Sequence, residues 1–218
     1  MFDLDGTLID SAPDIADAVN GLLAELGKPA LALGAIKGMI GDGAPVLLAR
    51  ALAASDIGTA AAELMPRFRT FYEAASTRRT TLYPMVRETL EGLHRAGRHL
   101  ALCTNKPSAA TRLVMDHFGL SPLFRCIIGG DSIAERKPAK EPLLAAIAGA
   151  GGDPAQAPSE AIMVGDSHTD LMTAIAGNVP AVIIPSGYGR HAELSDGPFQ
   201  QIGRFADLPA TLRQLDQN

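Results

Sequence analysis

The sequence predicts an α/β protein: a doubly wound parallel sheet with a small helical domain inserted after its first strand. Two observations carry this. From residue 99 onward, short apolar runs alternate with segments of helical periodicity, the pattern of βαβ units whose parallel sheet is covered on both faces. Before residue 99, only residues 2–4 read as a strand, and the pattern between is mostly helical. Residues 1–11 and 83–218 are therefore expected to form a Rossmann-like core, and residues 12–82 a helical cap.

The elements follow in order. A helix over 13–26 has Ser11 as a cap candidate, Pro13 in its first turn and Gly27 as its stop. Further helices are expected over 44–53 and 59–75, with Tyr83-Pro84 marking the return to the core and a helix over 86–96 leading into the sheet. Strands then fall at 99–103, 126–128, 161–164 and 181–184. Helices at 108–118, 141–150, 167–176 and 206–215 alternate with them. In such sheets the ligand crevice lies beyond the carboxyl ends of the strands.

Composition narrows the function. Hydrophobic residues make up 47% and charged residues 20% of the 218, so the chain can bury a core. A net charge of −5 argues against a nucleic-acid surface, but not against a phosphorylated substrate, which needs only one or two cations. The longest uncharged run, 171–189, is broken by Gly177, Pro180, Pro185 and Gly187 and cannot be one membrane helix. The first residues lack a basic stretch followed by an apolar one, so no secretory signal is expected. Cys103 and Cys126 sit in apolar runs without metal-ligand spacing. Both are expected to be reduced core residues of a cytoplasmic protein.

Four segments carry chemistry, each at the end of an expected strand. In Asp3-Leu4-Asp5-Gly6-Thr7, alternate residues of an extended strand share a face, placing the two acids about 6–7 Å apart. Gly165-Asp166-Ser167-His168-Thr169-Asp170 ends another strand in an acid, with Ser167 able to cap the next helix and Asp170 in its first turn. Four carboxylates without a His or Cys array suit a hard divalent ion such as Mg²⁺. Thr104-Asn105 sits at a strand-to-helix turn, where a hydroxyl and backbone N–H groups can hold phosphate oxygens. Lys137-Pro138 supplies a cation that can neutralise a phosphate. Taken singly, each segment is also compatible with plain turn or capping roles; what points to a site is that all four fall at ends of consecutive strands.

With these segments in that order, the chain resembles the haloacid dehalogenase-type hydrolases, and among them the phosphoglycolate phosphatase-like members. The cap stretch Lys37-Gly-Met-Ile-Gly-Asp-Gly-Ala-Pro-Val-Leu-Leu extends the resemblance over nearly the whole chain. The resemblance implies that Asp3 is the nucleophile and that Asp5 protonates the leaving alcohol and later activates water. It implies that Thr104, Asn105 and Lys137 hold the phosphoryl oxygens. Mg²⁺ would be bound by Asp3, the backbone carbonyl of Asp5, and Asp166, with Asp170 in support. An acid two residues after the nucleophile favours phosphate esters over carbon–halogen or carbon–phosphorus substrates.

Three features depart from the family pattern. The chain begins two residues before Asp3, where relatives carry a longer first strand. Lys137-Pro138 continues Ala139-Lys140-Glu141-Pro142 rather than His-Pro-x-Pro. Residues 186–190 only partly match a Gly/Tyr-rich loop and receive no role.

Elsewhere, Lys37 and Arg50 read as a solvated helix face, although either could meet a substrate carboxylate. Glycines 34, 38, 41 and 43 read as turns or a cap loop, the five histidines as structural or exposed, and Met163 and Met172 as core. The expected function is a Mg²⁺-dependent phosphatase of a small phosphorylated metabolite, best phosphoglycolate. A sugar-phosphate phosphatase or phosphomutase shares the core motifs. A phospho-acceptor receiver domain gathers similar acids but is shorter and has no helical insertion, and a non-catalytic binder does not need the intact acids and lysine. Neither a nucleic acid nor a membrane is an expected partner.

Overall fold

A computed structural model describes residues 1–185, 187–188 and 199–216. Its sheet is parallel and is assembled around the first three residues. On one side, β3 (Leu100–Cys103) pairs with β4 (Phe124–Ile128). On the other, β5 (Met163–Gly165) pairs with β6 (Ala181–Ile183), and β6 with β7 (Phe199–Gln201). Phe2 bridges both halves, being the parallel partner of Leu102 and of Val164. Its N–H donates to the Ala101 carbonyl at 2.9 Å and its carbonyl accepts from Cys103 at 2.8 Å. Asp3 N–H donates to Val164 at 2.9 Å. The strand order therefore reverses at the N-terminal segment, and a ligand crevice is expected outside its carboxyl end. Asp3 stands there.

The expected strand over 2–4 is shorter than foreseen, because regular pairing stops at Asp3. Leu4 already accepts from Thr7, Leu8 and Ile9 in a tight turn. That turn needs the φ of +92° that Gly6 adopts.

Side chains alternate along every central strand, as period-2 geometry demands. Leu100, Leu102, Val164 and Val182 enter one apolar cluster with α5 (Val86–Arg95), α6 (Ser108–His117) and α10 (Leu208–Leu215). Ala101, Cys103, Met163, Ala181 and Ile183 enter another with α7 (Glu141–Gly149) and α9 (His168–Ala176). Both faces are thus covered. Met172 does not join the core: at 37% exposure it faces away from it, because on α9 it lies one residue after the buried Leu171 and two before the buried Ala174, off the face that i and i+3 share. Cys103 is buried, while Cys126 is only half-buried.

Between the first segment and α5 lie α1 (Ala12–Glu25), α2 (Leu33–Lys37), α3 (Ala44–Ala54) and α4 (Ala61–Ala75). Ile15, Val19, Leu22, Ile36, Leu48 and Phe68 form a cluster of their own there. Two short strands, β1 (Ile9–Asp10) and β2 (Thr81–Leu82), pair antiparallel at its base. These strands, α2, β7 and α8 (Ala157–Glu160) are absent from the sequence expectation, since pieces of two to five residues leave no periodicity to read. Ser11 does not cap α1 through its side chain; its hydroxyl donates to Asp5 Oδ1 at 2.5 Å instead.

Asp14 on α1 is fully buried. It accepts from Arg79 N–H (2.9 Å), Thr80 N–H (2.9 Å) and Thr80 Oγ1 (2.6 Å), tying the returning chain to the helix. Asp14→Ala strands three donors and is expected to lower stability by about 3 kcal/mol in urea unfolding.

Candidate active site

The loops that leave the sheet converge on Asp3. Oxygen atoms of Asp3, Asp166 and Asp170 lie within 4.8 Å of one another, all three residues buried. Lys137, brought in by the loop after β4, donates to Asp3 Oδ1 at 2.7 Å and to Asp170 Oδ1 at 2.6 Å. Burial pushes the Asp3 carboxyl up to about 6, against the pull of the Lys137 ammonium. Burial also works against the charge of Lys137, but Asp170 and Asp3 beside it hold its ammonium well above the usual lysine range.

Local structure explains how the acids are aimed. Ser167 caps α9, as the sequence suggests, and with Asp170 it completes a capping box. Asp170 Oδ2 accepts from the N–H groups of Asp166 (3.2 Å) and Ser167 (3.1 Å) and from Ser167 Oγ (2.6 Å). With Lys137 on its other oxygen, Asp170 is held fast from both sides. Asp166 accepts from Thr7 Oγ1 at 3.2 Å and from the Tyr188 N–H at 2.7 Å. Gly165 must be glycine, since a Cβ there would fall on the Asp170 carboxyl group.

Among these residues, one ammonium against three carboxylates leaves two negative charges in a buried, all-oxygen cluster. That charge and donor set fit a hard divalent cation.

Asp3 also lines a pocket whose polar wall includes Asp5, Thr104, Asn105 and Lys106. Ile15, Leu47, Phe68 and Tyr72 of the inserted helices add a largely apolar part of the lining. The Asp5 carboxylate stands outside the three-acid cluster. It accepts from Ser11 and, at 2.8 and 3.1 Å, from the ammonium of Lys106. The Asn105 side chain acts as a strut. It accepts from Lys137 N–H at 3.0 Å and donates to the carbonyls of Lys137 (3.0 Å) and Gly41 (3.2 Å). Thr104 Oγ1 accepts from Lys106 N–H at 3.3 Å.

The profile of the haloacid dehalogenase-like hydrolase family matches residues 1–184. The chain belongs to that family. A phosphoglycolate phosphatase of Cereibacter sphaeroides is 44% identical over 99% of this chain and 97% of its own length. One from Rhodospirillum rubrum is 38% identical over 95% of this chain and 88% of its own length. The crystal structure of a predicted phosphoglycolate phosphatase from Haemophilus somnus superposes with a TM-score of 0.86 at 29% identity. It covers 97% of this chain and 96% of that one.

In this haloacid dehalogenase-like hydrolase, Lys37 and Arg50 do not line the pocket. Lys37 pairs with Asp10 at 3.5 Å and Arg50 with Asp42 at 2.6 Å. Three residues escape a motif-by-motif reading. Lys106 sits two positions after Thr104 on the same strand-to-helix turn, and that adjacency is its one signal in the sequence. Tyr72 gives no such signal, since a tyrosine at helical spacing reads as core. Tyr188 lies in the segment left without a role; its hydroxyl donates to Asp10 at 2.7 Å and accepts from Ala12 N–H at 2.9 Å. Residues 186, 189 and 190 of that segment, and His191, lie outside the described residues. Among the described residues, no helix is long and apolar enough to cross a membrane.

Proposed function

We propose that this hydrolase cleaves the phosphate monoester of a small metabolite, phosphoglycolate, through an aspartyl-phosphate intermediate on Asp3. The observation that carries the reading is the setting of Asp3. It opens onto the same pocket as Asp5 and Thr104, while Lys137 grips one of its oxygens and two further carboxylates crowd it. A carboxylate so placed can meet a phosphorus atom, and its neighbours can neutralise the charge that develops.

In the first step, an Asp3 oxygen forms a bond to phosphorus as the bond from phosphorus to the ester oxygen breaks. Asp5, entering this step protonated, gives that proton to the departing alkoxide and is left as the carboxylate. In the second step, Asp5 takes a proton from water, whose oxygen attacks the phosphorus of the acyl phosphate. The bond to Asp3 breaks and inorganic phosphate leaves. Thr104 and backbone N–H groups at the Asn105 turn orient the phosphoryl oxygens, and Lys137 offsets their charge. Asp3 and Asp166, with the carbonyl of Asp5, would hold Mg²⁺, and Asp170 supports the cluster. When bound, the ion supplies charge neutralisation between an anionic nucleophile and an anionic substrate.

Residues 12–82 serve as the cap, placing Phe68 and Tyr72 over the pocket to exclude water. The free thiols of Cys103 and Cys126 suit a reducing, cytoplasmic setting.

Phosphate release from phosphoglycolate, several sugar phosphates and an aryl phosphate, each with Mg²⁺ and with EDTA, tests the reading. Release from phosphoglycolate is expected to exceed the others and to fall below detection in EDTA. Release spread evenly over sugar phosphates would keep the chemistry and discard the substrate. Undiminished release in EDTA would remove the metal.

A further inference from the structure

We infer that Lys106 is the specificity-determining residue of the pocket, receiving a carboxylate carried on the carbon next to the leaving oxygen. The inference rests on the phosphatase reading above and deepens it by assigning the residue that recognises the substrate's carboxylate.

The pocket is lined by two cations, Lys106 and Arg69. Arg69 is exposed, whereas Lys106 is 5% exposed. Lys137, the other buried lysine, is taken up at the Asp3 end of the site by Asp3 and Asp170. Lys106 instead stands on Asp5, the group assigned to the leaving oxygen. A substrate oxygen that reaches Asp5 therefore brings its neighbouring carbon, and any carboxylate on it, to the Lys106 ammonium. An ammonium has three donors, so it can hold that carboxylate and keep a bond to Asp5.

The surroundings raise the selectivity. The Lys106 ammonium lies 5.0 Å from the centroid of the Tyr72 ring. The Tyr72 hydroxyl is buried and has no partner meeting hydrogen-bond geometry, although Lys106 is close enough to act on it. It is thus a second donor beside the same spot. The rest of that lining, Ile15, Leu47 and Phe68, is apolar. It offers nothing to the hydroxyls of a sugar but accommodates a methylene. A site built around buried donors rejects a substrate that leaves them unpaired.

The test compares kcat/KM for phosphoglycolate with kcat/KM for ethyl phosphate, in which a methyl group replaces the carboxylate. The wild type is expected to favour phosphoglycolate by about 100-fold or more. Lys106→Gln, which keeps a donor for Asp5 but no charge, is expected to cut that preference by at least about 10-fold, chiefly through KM for phosphoglycolate. Tyr72→Phe is expected to cut it by about 5-fold, and it decides the matter if Lys106→Gln does not fold. Equal losses on both esters would show that Lys106 acts only by holding Asp5, and would overturn the inference. An unchanged preference in either folded variant would overturn it too. A wild type that hydrolyses both esters equally sinks the inference and leaves the phosphatase standing. A wild type inert towards phosphoglycolate but active on sugar phosphates sinks the proposed substrate first.

Discussion

Asp3→Asn is expected to release no phosphate above background, a loss of at least about 10⁴-fold, while making the metal-free protein harder to unfold. An amide cannot form the acyl phosphate, and no other described carboxylate combines the pocket position with the Lys137 contact. The gain in stability follows from the charge count. The Asp3 carboxyl is pushed up to about 6, burial being the main cause. Its folded value lies above its unfolded one, so the folded state binds the extra proton between about 4 and about 6. The associated penalty grows as pH rises through that window and is complete above it. At neutral pH the amide escapes this penalty, so its melting temperature in EDTA is expected to exceed that of the wild type by several degrees. Added Mg²⁺ is expected to raise the wild-type value by binding the native state, and to move the variant less. A turnover close to wild type would remove Asp3 from the nucleophile's role. An unchanged melting temperature would remove the electrostatic account.

Lys137→Met is expected to damage both activity and fold. Its ammonium is the one bridge between Asp3 and Asp170 among the described contacts. Both carboxylates are buried with it. Breaking a buried ion pair from one side costs roughly 3–5 kcal/mol, and the loss of charge neutralisation at the phosphoryl group is expected to lower kcat about 10³-fold. The stability loss has a signature. It is expected to shrink as pH falls from 7 towards 5, because a protonated Asp3 no longer needs the cation. Urea unfolding at the two pH values reads this directly. A loss independent of pH would mean that Lys137 contributes packing rather than charge. Mg²⁺ restores part of the stability in this variant if the acids form the metal site.

The two lysines show where reading residues one at a time stops. Lys137 was legible because a cation beside a proline after a strand, in register with three acidic or hydroxylic strand ends, fits one crevice. Lys106 was not, because its partner Asp5 lies 101 positions away and its neighbour Tyr72 comes from the inserted helices. The same holds for Asn105. Its place at a strand-to-helix turn was plain, but its bonds to Gly41 and Lys137 depend on how two distant loops meet. Ser11 carries a sound capping signal, but its backbone lies in the helical region and its hydroxyl donates to Asp5 instead of accepting from the first turn of α1.

By itself, the sequence determined the alternation of strands and helices, the helical run after the first segment, the strand ends that bear Asp3, Thr104 and Asp166, and the loop that carries Lys137. These are local matters: periodicity, turn glycines and caps act over a few residues, and a parallel sheet brings all its strand ends to one edge. Only the tertiary structure decided which charges meet. It gave Lys137 to Asp3 and Asp170, Lys106 to Asp5, and the strand reversal to Phe2. Those pairings join segments far apart in the chain, as in the 134 positions between Asp3 and Lys137. No local pattern encodes them, because burial and charge select partners only after the chain has closed on itself.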